Sequence, residues 1–397
     1  MTNSSNTPLR YVLRPVERTG FPDATVLSVY RDHGVIRKDS RSDNHNKTPA
    51  DLSRYQLVQH HDLVVNKMKA WQGSLGISGH EGIVSPDYLV CKLTPNTHPR
   101  FLHHLLRSGP LIGEFKSRSK GIRPAQWRLY WDDLAQVSVT LPDLDEQCRI
   151  AHFLDAETAR IDHLRSRFSR QRSLLDERES TSLPLTVAGA RLDDESVNTG
   201  LGWLPAMHPR AQLVPLIRLL QLQRGADLSE DQRRKGSVPV VTTAGLAGWH
   251  DVALSEGPGV VIGRYGSVGN VHWVETPYWP HNTTLYVKNF NGNDPRYCYH
   301  VLRSLPYEME QARAAVPGVN RNDLHRQKVA LLPQDLQRRV VMQLDTDAER
   351  LESTQKRIKR AESLLIERRQ ALITAAVTGQ FDVSTASGLN VTDGVHP

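Results

Sequence analysis

The sequence predicts a mixed α/β (α+β) chain with two globular modules separated by two long antiparallel helices. The helices are expected to form a coiled coil, and the whole to be a pseudo-two-fold internal repeat. Three observations carry this. The stretch Leu141 to Gly189 recurs as Leu332 to Gly379, and from Leu154 onward the copies are offset by 190 residues, with a one-residue slip near Pro142 and Pro333. Each copy holds a row of apolar residues seven apart: Leu154, Ile161, Phe168 and Leu175 in the first, Leu344, Leu351, Ile358, Leu365 and Leu372 in the second. A heptad held this long marks a helix that packs along one seam. The segments between carry short β-branched runs broken by Gly, Pro and polar residues, the pattern of strands and turns.

The expected boundaries are 1–142 for module one, 143–189 for the first helical region, 190–333 for module two, 334–380 for the second helical region and 381–397 for a polar, flexible tail. In module one, Thr25 to Tyr30, His61 to Asn66, Ile83-Val84 and Tyr88 to Leu93 read as strands, and Phe101 to Leu106 as a helical turn. Two basic, aromatic loops follow from the same reading: Asn66 to Gly76, with Lys67, Lys69, Trp71 and Gln72, and Gly121 to Tyr130, with Arg123, Gln126, Trp127 and Arg128. Val137 to Pro142 closes the module as a strand. Asp143 then caps the first helix, with Glu146 in capping-box position, and Pro184 should stop or kink it. That makes the second helix the longer and straighter one. In module two, Pro258 to Gly263 and Thr283 to Lys288 read as strands, and Arg264 to Gly269 as a loop whose Gly266-Ser267-Val268-Gly269 matches Gly73-Ser74-Leu75-Gly76.

Charge separates the parts. Residues 1–142 hold 19 Lys+Arg against 12 Asp+Glu and residues 183–333 hold 15 against 13, whereas residues 143–182 hold 7 against 9 and residues 334–397 hold 9 against 9. The positive excess lies in the modules, which suits a polyanion, and the charge-balanced helices suit a protein partner. A mean hydropathy of −0.47 and the lack of any apolar run near the ~20 residues of a membrane helix predict no membrane partner. The polar start Met1 to Asn6 shows no secretory pattern, and Cys91, Cys148 and Cys298 are scattered without metal-ligand spacing, so a reducing cytoplasm is the expectation.

No catalytic or metal site is expected. Gly263, Gly266 and Gly269 give G-x-x-G-x-x-G, which is neither the dinucleotide fingerprint nor a Walker loop. No Asn/Asp-Pro-Pro-aromatic tetrapeptide occurs. Pro86-Asp87 with Glu114-Phe115-Lys116 superficially matches the acidic/lysine pattern of metal-dependent nucleases. A self-contained metal-dependent DNA nuclease is therefore the alternative, but module two has no equivalent of this pattern.

Leu141-Pro142-Asp143-Leu144-Asp145-Glu146-Gln147-Cys148-Arg149-Ile150-Ala151-His152-Phe153-Leu154-Asp155, continued by Glu157 to Asp162, closely resembles the repeated region of specificity subunits of type I restriction-modification systems. Glu367 to Gly379, Val65 to Trp71 and Gly82 to Tyr88 extend the resemblance over nearly the whole chain. It implies two target-recognition domains, each reading half of a bipartite asymmetric site in double-stranded DNA. It also implies that the helices dock two modification (methyltransferase) subunits, joined by a restriction/translocase subunit. S-adenosylmethionine, ATP and Mg would then sit on those partners, with no cofactor on this chain.

Within that frame Lys67, Lys69, Arg123, Arg128, Arg264 and Arg321 are the candidates for phosphate or guanine contact, and Gln72, Gln126 and Asn320 for adenine edges. Trp71 and Tyr265 are expected to support the loops or pack on sugars, and Trp127 and Tyr130 to lie in the core. Leu154, Ile161, Phe168, Leu175, Leu344, Leu351, Ile358 and Leu365 are expected to pack the coiled coil.

Overall fold

The structure is a computed structural model that describes residues 5–31, 33–40, 48–123, 126–265, 269–307 and 318–383. Module one runs through β1 (Ser5–Pro8), β2 (Leu13–Pro15), β3 (Leu27–Tyr30), β4 (Gly34–Arg37), β5 (Gln56–Val58), β6 (Leu63–Asn66), β7 (Leu75–Ile77), β8 (Gly82–Val84), β9 (Tyr88–Leu93), α1 (Pro99–Leu106), α2 (Gly109–Arg118), α3 (Trp131–Ala135) and β10 (Ser138–Leu141). The first long helix is α4 (Leu144–Val187). Module two runs through β11 (Val197–Leu201), β12 (Leu204–Met207), β13 (Gln212–Pro215), α5 (Leu216–Leu219), β14 (Gln221–Arg224), β15 (Val238–Thr242), β16 (Gly245–His250), β17 (Gly259–Gly263), β18 (Val271–Val274), β19 (Trp279–Pro280), β20 (Thr284–Asn289), α6 (Pro295–Arg303), α7 (Arg321–Arg326) and β21 (Lys328–Leu331), and the second long helix is α8 (Gln334–Val377).

The two modules share one topology. Module one has a four-stranded sheet ordered β2-β9-β6-β7, and module two has β14-β20-β17-β18. β1 pairs with β10 as β13 pairs with β21. A parallel bridge from Val26 to Ile83 answers the parallel pairing of β15 with β19. Inside the modules the offset is 196, as from Pro99 to Pro295 at the starts of α1 and α6. It returns to 190 at β10 and β21. Module one is therefore longer by six residues between these points.

By compactness the chain divides into unit 1, Met1–Phe168 with Arg360–Pro397, and unit 2, Ser169–Lys359. Each unit thus holds one module and a piece of each long helix. In unit 1 the pairing is antiparallel. Ile150, Ala151 and Leu154 of α4 share a core with Ala376 and Val377 of α8, and Arg369 donates to Asp162. In unit 2, Gln355 Nε2 donates to Asp176 Oδ1 at 3.0 Å, again with α4 and α8 opposed. Among the heptad residues, Leu154, Ile161 and Ile358 are buried, while Phe168, Leu175, Leu344, Leu351 and Leu365 are half-buried. Two helices bury only a seam, so partial cover is what a pair can provide.

Pro184 does not stop α4, which continues to Val187, and α4 and α8 are equally long at 44 residues. The proline sits one turn from the end, where only the carbonyl of exposed Ser180 loses its partner. Leu183 and Val187 on either side are anchored in the core of module two. That packing outweighs one missing hydrogen bond. Asp143 Oδ1 accepts from Glu146 N at 2.8 Å as expected, but the Glu146 carboxylate turns forward to Arg149 instead of completing a capping box.

Candidate nucleic-acid interface

In module one the turn between β6 and β7 is built from its own polar groups. Asn66 Oδ1 accepts from Met68 N at 3.1 Å, Trp71 Nε1 donates to Met68 O at 3.1 Å, and Gly73 at φ +89° returns the chain into β7. Such a left-handed residue favours glycine. Lys69 and Gln72 are exposed on this turn, whereas Lys67 is half-buried and its Nζ donates to Pro86 O at 2.9 Å. Lys67 is thus committed to holding the loop.

The second loop is fastened onto the first. Leu129 N donates to Lys67 O at 2.8 Å, and the Trp71 and Trp127 rings meet edge-on with centroids 5.4 Å apart. Arg128 pairs its backbone with Lys120 and lies half-buried, 3.8 Å from Asp87 Oδ1. Arg123 and Gln126 are exposed; Pro124 and Ala125 between them lie outside the described residues. Trp127 braces the loops, and Tyr130 is 47% exposed, so it is not a core residue. It is the extended N-cap residue immediately before α3.

Module two repeats the fastening. Arg264 N donates to Thr283 O and Val319 N donates to Arg264 O, both at 3.0 Å. Lys67 and Arg264 therefore occupy one structural position, and so do Leu129 and Val319. The glycine equivalent to Gly73 is Gly269, at φ +82°, and not Gly266; Gly266, Ser267 and Val268 lie outside the described residues. The reason is hairpin length: six residues separate Gly263 from its partner Asn270, against seven between Asn66 and Ser74. Arg264 stacks its guanidinium over the Tyr265 ring at 4.6 Å. That ring lies on Gly318, where an added Cβ would come within 2.6 Å of it. Asn320 Oδ1 caps α7 by accepting from Asn322 N at 2.8 Å, and both Asn320 and Arg321 beside it are exposed.

Sequence reasoning missed one residue here. Ile122, at the tip of the second loop of module one, is 96% exposed between Gly121 and Arg123. An aliphatic side chain that avoids all packing inside a basic loop is a candidate contact. The signal was the Gly-Ile-Arg-Pro run itself.

Behind each loop cluster the module is pinned to its helix by the same residues. His104 Nε2 donates to Asp155 Oδ1 at 2.9 Å, and Arg100 donates to both oxygens of Asp155. In unit 2 Arg296 donates twice to Asp345, and the buried His300 Nε2 lies 3.5 Å from Asp345 Oδ1. Burial pushes the Asp155 carboxyl up, but the bonds from His104 and Arg100 outweigh it and hold the carboxyl well below the usual range.

The nuclease pattern is not assembled. Glu114 and Lys116 lie on α2, not on a strand, and Glu114 Oε1 accepts from Arg118 Nε at 2.7 Å. Among the described residues no group of three or more His, Cys, Asp or Glu side chains is placed to hold a metal ion. Among them, too, no helix is long and apolar enough to cross a membrane.

No family model and no curated protein matches the sequence. Solved structures do. A chain from the work on complex assembly and conformational transition of the type I R-M system superposes with a TM-score of 0.74 at 16% identity, over 95% of this chain and 98% of that one. The HsdS subunit of Thermoanaerobacter tengcongensis superposes at 0.58 with 17% identity, over 95% and 97%. The chain has the fold of a type I restriction-modification specificity subunit. A third relative, the S subunit of M. genitalium, matches at a TM-score of 0.42 and 14% identity, over 95% of this chain and 96% of that one. The first two superpositions, at 95% of this chain, take in both modules and both long helices.

Proposed function

We propose that this chain is the DNA-specificity subunit of a type I restriction-modification complex, non-catalytic itself and acting in the cytoplasm. Each module reads one half of a bipartite, asymmetric site in double-stranded DNA. The observation that carries the reading is the repeated fastening of two loops, Leu129 to Lys67 and Val319 to Arg264, beneath different side chains. One scaffold with two unlike surfaces, Lys69, Gln72, Arg123, Gln126 and Arg128 against Arg264, Tyr265, Asn320 and Arg321, suits two unlike half-sites. Exposed arginines and lysines position phosphates, and the glutamines and Asn320 suit adenine edges.

The helices then dock two modification subunits and, through them, a restriction/translocase subunit. S-adenosylmethionine, ATP and Mg belong to those partners. Mapping methylated adenines in DNA from cells with and without the intact gene tests this: a two-part motif that vanishes with the chain is expected, and an unchanged methylation map overturns the reading. Plasmid incubated with the purified chain and Mg²⁺ is expected to stay intact on this reading, and cleavage would favour the nuclease alternative.

A further inference from the structure

The two units end their helix pairs differently. In unit 1 the chain leaves α8 at Gly379 (φ +73°) and lays Phe381 against Phe153 of α4, ring centroids 5.6 Å apart, with Val383 buried beside them. In unit 2 the chain leaves α4 at Gly189 (φ +70°), the residue 190 positions earlier. The counterparts of Phe153 and Phe381 are there Gln343 and Arg191. Both line a cavity of about 360 Å³. What is an aromatic plug in unit 1 is an open socket in unit 2.

The socket has a definite chemistry. Leu175, Leu183, Leu344 and Leu351 supply apolar wall. Arg178, Arg191, Arg303 and Arg350 face Glu179 and Asp347, so four cations meet two anions. Arg303 donates to Glu179 Oε1 at 2.7 Å, and Arg350 lies 3.8 Å from Asp347 Oδ1. Arg178 and Arg191 have no side-chain partner among the described residues. An apolar wall beside two uncommitted guanidiniums fits an aromatic side chain next to a carboxylate. The plug of unit 1, Phe381-Asp382, has that composition.

We infer that this socket of unit 2 receives a partner-protein segment carrying an aromatic residue beside an acidic one, seated as Phe381 is seated in unit 1. It rests on the reading of the helices as a docking rail, and it makes the two ends of that rail unequal: one is closed by the chain itself, the other recruits.

The probe is the free peptide Gly-Gln-Phe-Asp-Val, residues 379–383 of this chain, titrated calorimetrically into the full chain. Saturable 1:1 binding is expected, weakened at least tenfold, about 1.4 kcal/mol, by Phe→Ala or Asp→Asn in the peptide and by Arg191→Ala in the protein. Gln343→Phe, which supplies the ring that Phe153 offers in unit 1, is expected to tighten binding, whereas Arg191→Phe, which puts the plug residue itself in place, is expected to abolish it without lowering the melting temperature. No saturable heat at millimolar peptide, equal binding of the Ala peptide, or undiminished binding to R191F overturns the proposal. Inorganic phosphate or acetate binding as well as the peptide would assign a bare anion site and overturn it too. The titration uses neither DNA nor another subunit, so its failure leaves the reading of the modules standing, and a failed methylation map leaves the socket standing.

Discussion

Gln147 and Gln337, 190 residues apart, make matching hydrogen bonds in the two units. Gln147 Oε1 accepts from His98 N at 2.8 Å, and its Nε2 donates to Asn96 O and Pro142 O. Gln337 Oε1 accepts from Asp294 N at 3.0 Å, and its Nε2 donates to Asn293 Oδ1 and Leu332 O. Each side chain is 1% exposed. A primary amide can donate and accept at once, so a single residue joins the helix start, the strand before it and the start of the short helix α1 or α6.

Gln147→Ala should therefore cost about 2–4 kcal/mol, because it strands buried partners as well as losing bonds. The loss should be local to unit 1. Hydrogen exchange at His98 and along β1 and β10 is expected to accelerate while β13 and β21 keep their protection; equal acceleration in both units would count against a local pin.

Much of this was legible in the sequence. The 190-residue offset and the heptad rows pointed to paired helices, and short β-branched runs located β6, β9, β17 and β20. The changing offset was not legible, since six extra residues between α1 and β10 raise it from 190 to 196 inside the modules, and the one-residue difference in hairpin length makes it 197 from Lys67 to Arg264, which disguises the two as unrelated. The Gly-Ser match was misleading because hairpin closure, not the dipeptide, decides which glycine turns. Pro184 was read by its local rule, and tertiary packing of Leu183 and Val187 overrode it. Among the candidate residues, side-chain commitments such as Lys67 to Pro86 depend on contacts 19 residues away and leave no local signal.

That commitment separates Lys67 from Lys69. Lys69→Ala should leave stability unchanged and weaken DNA binding, lowering the slope of log affinity against log salt by about 1. Lys67→Met should destabilise the Trp71 loop by about 1–2 kcal/mol and blur sequence preference more than it changes that slope. Salt titrations of both variants in complex, beside denaturant melts, distinguish the roles; identical salt slopes would merge them.

Gly318→Ala tests the second module. The added methyl would meet the Tyr265 ring at 2.6 Å, so the ring and the Arg264 guanidinium stacked on it must move. Both lie at the surface, so the stability cost should stay within about 1 kcal/mol. Binding of DNA altered in only one half-site is expected to reveal lost discrimination in that half alone. Equal loss in both halves would contradict separate reading by the two modules.

His300 sets an expectation for pH. Burial, then the charges of Arg296 and Arg303, lower its pKa below the ordinary 6.5, against the opposing pull of Asp345. The folded chain therefore holds it neutral, while the unfolded chain takes up a proton as pH falls through about 6.5. The stability it contributes is complete above that value and is lost as pH drops from 6.5 towards the lowered folded value. The loss can reach about 1.4 kcal/mol per pH unit within that window. His104 is lowered likewise, by burial against Asp155, so unit 1 should respond in the same direction. Asp155, by contrast, contributes stability that is lost only below the usual carboxylate value of 3.8. The denaturant midpoint of the native chain should be lower at pH 5.0 than at pH 7.5, and His300→Gln should flatten the part of that fall due to unit 2. An unchanged slope in that variant would mean that His300 titrates alike in both states and that its burial beside Arg296 is not felt electrostatically.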